Sequence, residues 1–138
     1  MIQFNYETSC QLYNEDTVSR WVLDAITSEG FKLGDINYIF CNDEYLHKLN
    51  VEFLHHDTLT DIISFDYKVG KILHGDIFVS VERVEENAKD FDVSFQQELY
   101  RVIIHGILHF CGYKDKTEEE AQAMREKENH YLSILKGI

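Results

Sequence analysis

The sequence predicts an α+β domain with one small mixed sheet and helices packed around it. Three observations carry that prediction. Four short stretches read as strands, either by alternation of apolar and polar residues or by enrichment in β-branched and apolar types. Helical stretches follow each other in the second half without strict strand–helix alternation. The chain has 138 residues, enough for one core, and residues 1–138 are expected to form a single domain.

The elements come in order. Residues 2–6 (IQFNY) alternate and form an edge-type strand. Residues 16–29 form a helix: Val18, Trp21, Val22, Ala25 and Ile26 share one face, Asp16 can cap it and Gly30 ends it. Asp35–Cys41 (DINYIFC) alternates as a strand. Asn42 or Asp43 can cap a helix running through Leu46, Leu49 and Phe53. Residues 60–67 (TDIISFDY) and 75–81 (GDIFVSV) are strands, joined by a short connection, Lys68–Leu73, through Gly70. Residues 81–91 form a helix with apolar Val84 and Ala88 among charges. Ser94 opens a long helix, with Gln97 closing a capping box, and Leu99, Val102, Ile103 and Leu108 bury it. Thr117 opens the last helix, with Glu120 in the matching position.

Composition narrows the class. Apolar residues are 44% and aromatics 13%, which suits a packed globule rather than a disordered chain. No apolar run approaches the ~20 residues of a membrane span. The first ten residues lack the basic and apolar segments of a secretion signal, so a cytoplasmic protein is expected. Cys10, Cys41 and Cys111 are too widely spaced for a disulfide framework or a zinc knuckle and read as free thiols. The net charge of −12 argues against a surface that wraps nucleic acid through phosphate contacts. Any affinity for RNA must come from a local cleft, a metal or a larger assembly.

The chemistry concentrates in residues 105–116, HGILHFCGYKDK. His105 and His109 are four apart, on one helical face one turn apart. Two imidazoles so placed can hold one zinc ion. Gly112 can adopt the left-handed conformation that ends a helix, and the returning chain can bring Asp115 as a third ligand. Cys111 lies inside the motif, but better ligands flank it. The spacing H-x-x-x-H-x-x-G-x-x-D matches metzincin geometry, except that Gly106 stands where those proteases carry a glutamate base. Three protein ligands leave a fourth position open, as in catalytic zinc sites. Two histidines and a carboxylate also match the facial triad of iron enzymes, which leaves the metal open.

At this point the sequence resembles a known family. HGILHFCGY followed by Lys-Asp is similar to the signature of the YbeY family, single-domain bacterial rRNA-maturation endoribonucleases. Leu49–Phe65 (LNVEFLHHDTLTDIISF) looks like the segment leading into the family's T-D-V-L-S-F strand, and Gly75–Val84 (GDIFVSVERV) like its G-D-I-x-I-S passage. Together these lie within residues 46–116, about half the chain.

The resemblance implies a four-stranded mixed sheet with about five helices and a metal site on a central helix. It implies a zinc-dependent endoribonuclease specific for single-stranded RNA. Such an enzyme matures the 3′ end of small-subunit rRNA and meets the small subunit or its ribosomal proteins. It places His105, His109 and Asp115 as the ligand set through which catalysis runs.

Three positions depart from the family pattern: Asp115 replaces histidine, Leu54 an arginine and Leu59 a proline. His55 and His56 can substitute for the arginine as substrate contacts, and Lys114 and Lys116 can meet phosphate. Asp61 and Ser64 are candidates to line the cleft. Asp76 is a candidate to orient a ligand histidine. A metal-stabilised binding module in ribosome assembly is the alternative to an enzyme.

Overall fold

The computed structural model describes residues 1–55 and 60–135. The elements run β1 (Ile2–Tyr6), α1 (Glu15–Ser28), β2 (Lys32–Cys41), α2 (Asp43–Leu54), β3 (Ile62–Asp66), β4 (Ile72–Ser80), α3 (Val81–Asp90), α4 (Phe95–Phe110) and α5 (Glu118–Ile134). The strands form one four-stranded sheet in the order β1-β2-β4-β3. β1 and β4 both run parallel to β2, and β3 is antiparallel to β4, so the sheet is mixed as expected.

Alternation decides which side chains face which layer. Ile36, Tyr38 and Phe40 of β2 lie beside Gly75, Ile77 and Val79 of β4 and point into the main core. There they meet α1, α4 and α5 through Val18, Val22, Ile103, Ile107 and Met124. On the other face α2 packs through Leu46 against Cys41, Ile63, Phe65 and Phe78.

α4 is the central helix. Ten of its residues are buried, and it touches α1, α3, α5, β3 and β4. Ile103, Ile104, Ile107 and Leu108 are completely enclosed, and each such side chain stabilises the fold by roughly 1.5–3 kcal/mol. Two buried polar groups bond across elements: the Tyr38 hydroxyl donates to the Ile103 carbonyl at 2.9 Å, and Trp21 Nε1 donates to the Tyr131 carbonyl at 2.8 Å. The second bond ties α1 to α5.

Several boundaries move from expectation. α1 is capped at Asn14, not Asp16, and Asn14 supplies no side-chain cap because its amide bonds the Tyr100 hydroxyl at 3.1 Å. β2 starts at Lys32, three residues early, and a register shift between Leu33 and Ile36 breaks the alternation there. β4 starts at Ile72, where the turn at Gly70, with φ +60°, hands the chain directly into pairing. Ser94 caps α4 by accepting from Gln97 N, but Gln97 returns no side-chain bond, so that box is half made.

Candidate metal centre

α4 carries His105 and His109 on the part of its surface that faces neither the sheet nor α1. The helix then ends in a Schellman turn: Gly112 N donates to the His109 carbonyl and Tyr113 N to the Leu108 carbonyl, both at 3.0 Å. Gly112 sits at φ +103°, a conformation that glycine adopts without strain. The returning chain reaches Asp115 before Thr117 starts α5 with a complete capping box. The ligand loop is therefore held at both ends by helix caps.

The three side chains converge. His105 Nε2 and His109 Nε2 lie 3.0 Å apart, and Asp115 Oδ2 is 3.3 Å from the first and 3.5 Å from the second. Four-coordinate zinc with ligands at roughly 2.0–2.1 Å holds neighbouring donor atoms roughly 3.3 Å apart. The donor set thus fits a metal ion of that size, and the trio could hold one.

The far sides of the two rings fix their protons. His109 Nδ1 lies 3.0 Å from the Tyr113 carbonyl, which only accepts, so Nδ1 carries the hydrogen and a neutral ring points a lone pair from Nε2. His105 Nδ1 lies 2.6 Å from Glu128 Oε2, and the same assignment follows. With both rings neutral, two lone pairs and a carboxylate oxygen meet at one point, an arrangement that a cation relieves.

Charges around the trio are coupled. Burial pushes the Glu128 carboxyl up, but hydrogen bonds from His105 and Arg101 outweigh it and hold it below the usual range. Burial lowers His105, yet the Glu128 bond and charge carry it above its ordinary value. His109 is lowered, by burial first and by His105 second. Arg101 Nη1 bonds Glu128 Oε1 at 2.9 Å and fixes the carboxylate that orients His105.

Glu128 on α5 therefore has the role the sequence reading gave to Asp76. Asp76 instead accepts from Asn37 Nδ2 at 3.1 Å on the neighbouring strand, away from both histidines. Glu128 gave no local signal, because it follows His105 by 23 residues on a different helix. The sequence reading also missed Glu29, at the end of α1. It accepts from the Tyr113 and Tyr131 hydroxyls and from Lys127 Nζ, and so pins the ligand loop to α1 and α5.

The remaining candidates divide. Asp61 is half-buried and lines a cavity beside His105 and Asp115, whereas Ser64 does not line it. Lys114 and Lys116 are exposed on either side of Asp115. His55 is exposed in a left-handed C-cap of α2, and His56 and Leu59 lie outside the described residues. Leu54 is 41% exposed at the end of α2. Cys111 is a free thiol outside the trio, and burial pushes it up to about 12. Gly106 faces the sheet, where an added Cβ would lie 3.0 Å from Ile62 and 3.1 Å from Ile77. The position that carries the base in metzincins is here a packing contact.

The family model for Endoribonuclease YbeY matches residues 3–136 of this chain. The chain belongs to the YbeY family. It is 63% identical over 135 residues to the Endoribonuclease YbeY of Flavobacterium johnsoniae, spanning 98% of this chain and 97% of that one. It is 54% identical to the protein of the same name from Christiangramia forsetii, over 97% and 94% of the two chains. A solution structure of a Thermotoga maritima protein superposes with a TM-score of 0.70 at 29% identity, covering 96% of this chain and 87% of that chain. Among the described residues, no helix of this YbeY-family protein is long and apolar enough to cross a membrane.

Proposed function

We propose that the protein is a zinc-dependent endoribonuclease that cuts single-stranded RNA, with His105, His109 and Asp115 as the metal ligands. Its setting is the cytoplasm, as a single domain acting on ribosomal RNA in small-subunit 3′-end maturation, in contact with the small subunit. The observation that carries the reading is the convergence of two imidazole nitrogens and a carboxylate oxygen at 3.0–3.5 Å in a chain whose relatives bear the name Endoribonuclease YbeY.

Zinc, when bound, supplies Lewis-acid stabilisation of charge on a phosphodiester. The protein's own groups do the rest. Glu128 and the Tyr113 carbonyl keep both Nδ1 protons in place, so both Nε2 atoms stay available as ligands. Arg101 neutralises Glu128, so the carboxylate does not repel substrate. Lys114 and Lys116 are the exposed cations closest in sequence to Asp115, and they attract the RNA backbone to an otherwise acidic protein. His55 and His56 are further candidates for that contact.

The test is metal content of untagged protein, for wild type, His109→Ala and Asp115→Ala, followed by cleavage of single-stranded RNA with analysis of the product ends. One zinc per chain, lost in both variants together with cleavage, supports the reading. A 2′,3′-cyclic phosphate product identifies the ribose hydroxyl as nucleophile, and 3′-hydroxyl with 5′-phosphate ends identify water. Zinc bound at full occupancy with no cleavage replaces the enzyme with a metal-stabilised ribosome-assembly module, which Leu54 in the arginine position favours. Absence of metal after metal-replete growth overturns both.

A further inference from the structure

A cavity of about 290 Å3 opens beside the metal trio, with His105 and Asp115 on one side. Its wall also carries Asp61, Asn87, Glu98 and Arg125, with Phe91 among the lining residues. Glu98 stands out: it is 5% exposed, and no hydrogen bond or ion pair from the described residues reaches its carboxylate. It lies two turns before His105 on α4, on the same helical face. Arg101 and Arg125 act on Glu98 only through their field, since Arg101 spends its hydrogen bonds on Glu128 and Asn129. Asp61 accepts from the Asn87 amide at 3.2 Å and from its own backbone N–H.

Burying a carboxylate without donors is costly. An under-bonded carboxylate on the wall of a cavity next to the metal trio is prepared for a ligand that brings donors. Asp61, Glu98, Asp115 and Glu128 on the wall outnumber Arg101 and Arg125, so its balance is acidic and favours the neutral part of a nucleotide over its phosphate. It accepts the neutral, hydrogen-donating part of a nucleotide. Of the four RNA bases, guanine alone presents two adjacent donors, N1–H and the N2 amine, to match the two oxygens of one carboxylate. Adenine and cytosine set one amine beside an acceptor nitrogen, and uracil sets one N–H between two carbonyls. Phe91, 57% exposed, offers a ring for stacking.

We propose that this cavity is a base-recognition subsite that takes a guanine next to the phosphate at the metal trio, with Glu98 reading its N1–H and N2 edge. The proposal rests on the endoribonuclease reading above and adds a sequence preference to it. Asp61 and Asn87 close the subsite from the β3 and α3 sides.

The test titrates zinc-loaded protein with the 5′-monophosphates of guanosine, inosine, adenosine, cytidine and uridine, following amide shifts by NMR. The phosphate is common to all five, so differences report the base. Inosine keeps N1–H and lacks the N2 amine. The guanosine nucleotide is expected to bind about tenfold or more tighter than the others, with shifts at Asn87 and Glu98. Glu98→Gln is expected to erase that preference. Phe91→Ala is the second variant, on an exposed side chain that the fold does not need, and it weakens all five nucleotides.

Equal affinities, or a guanine preference that survives Glu98→Gln, overturn the subsite. Cleavage of RNAs differing only in the base at each position is measured in parallel. Cleavage without base preference, with equal nucleotide affinities, sinks the subsite and leaves the nuclease. A guanine preference erased by Glu98→Gln in a protein that cleaves nothing upholds the subsite and sinks the nuclease.

Discussion

Glu128 and His105 share a proton line of 2.6 Å, and both the orientation of the ring and its affinity for protons depend on it. A histidine must be neutral to ligate, so zinc bound as proposed would compete with a proton at His105. Because its folded value lies above 6.5, zinc affinity is expected to begin falling above pH 6.5 as the solution is acidified. Glu128→Gln removes the carboxylate that raises His105. Zinc affinity near neutral pH is expected to drop about 10–100-fold, while the onset of acid loss moves to lower pH. Competition titration with a chromophoric chelator across pH reads both changes, and a Glu128→Gln variant with unchanged affinity and onset would disprove the assignment. The trio is legible in the sequence as candidate ligands, since i, i+4 spacing and a glycine stop are local facts. Their supports are not. Glu128 and Glu29 reach the site through tertiary packing, and nothing near Asp76 in the sequence shows that its side chain turns to Asn37 instead.

Helix ends set the ligand loop. Gly112 closes α4 at φ +103° with open space around a notional Cβ, so Gly112→Ala is penalised by conformation rather than by collision. It is expected to destabilise the protein by roughly 1–2 kcal/mol and to weaken metal binding, because Tyr113 and Asp115 hang from that turn. Thr117→Ala opens the capping box at the other end and is expected to cost about 1 kcal/mol. Chemical denaturation of the metal-free proteins gives both values. These caps were visible as residue types at fixed spacing. Element starts were less so: the first residues of β2 do not alternate because a register shift follows them, and Asn14 spends its side chain on Tyr100 of α4. The mixed sheet was predicted from the lack of strict strand–helix alternation, but the β1-β2-β4-β3 order needs the crossovers, which no local pattern encodes.

Across the whole molecule, acidity and packing act together. The Glu29 carboxyl is raised by burial, but bonds from Tyr131, Tyr113 and Lys127 outweigh this and hold it below its ordinary value of 4.5. A carboxyl depressed in the folded state contributes stability above the unfolded value, and the contribution is lost as pH falls through the folded value. Metal-free protein is therefore expected to lose stability below about pH 4.5, with a flatter acid limb in Glu29→Gln. Thermal melts over pH 3–6 check the sign. One core cluster spans α1, the sheet, α4 and α5, so a single calorimetric transition is expected, and two separate transitions would contradict the one-domain reading. With a net charge of −12, binding of RNA is expected to weaken only shallowly with added salt, since few cations are there to displace counterions.

The bond from Glu128 to His105, and those from Tyr131 and Lys127 to Glu29, all come from α5, which is synthesised after every ligand. A growing chain can hold His105, His109 and Asp115 already and still lack the carboxylate that aims the first ring. The order of synthesis thus leaves the trio without its supports until α5 has been made and packed against α1 and α4.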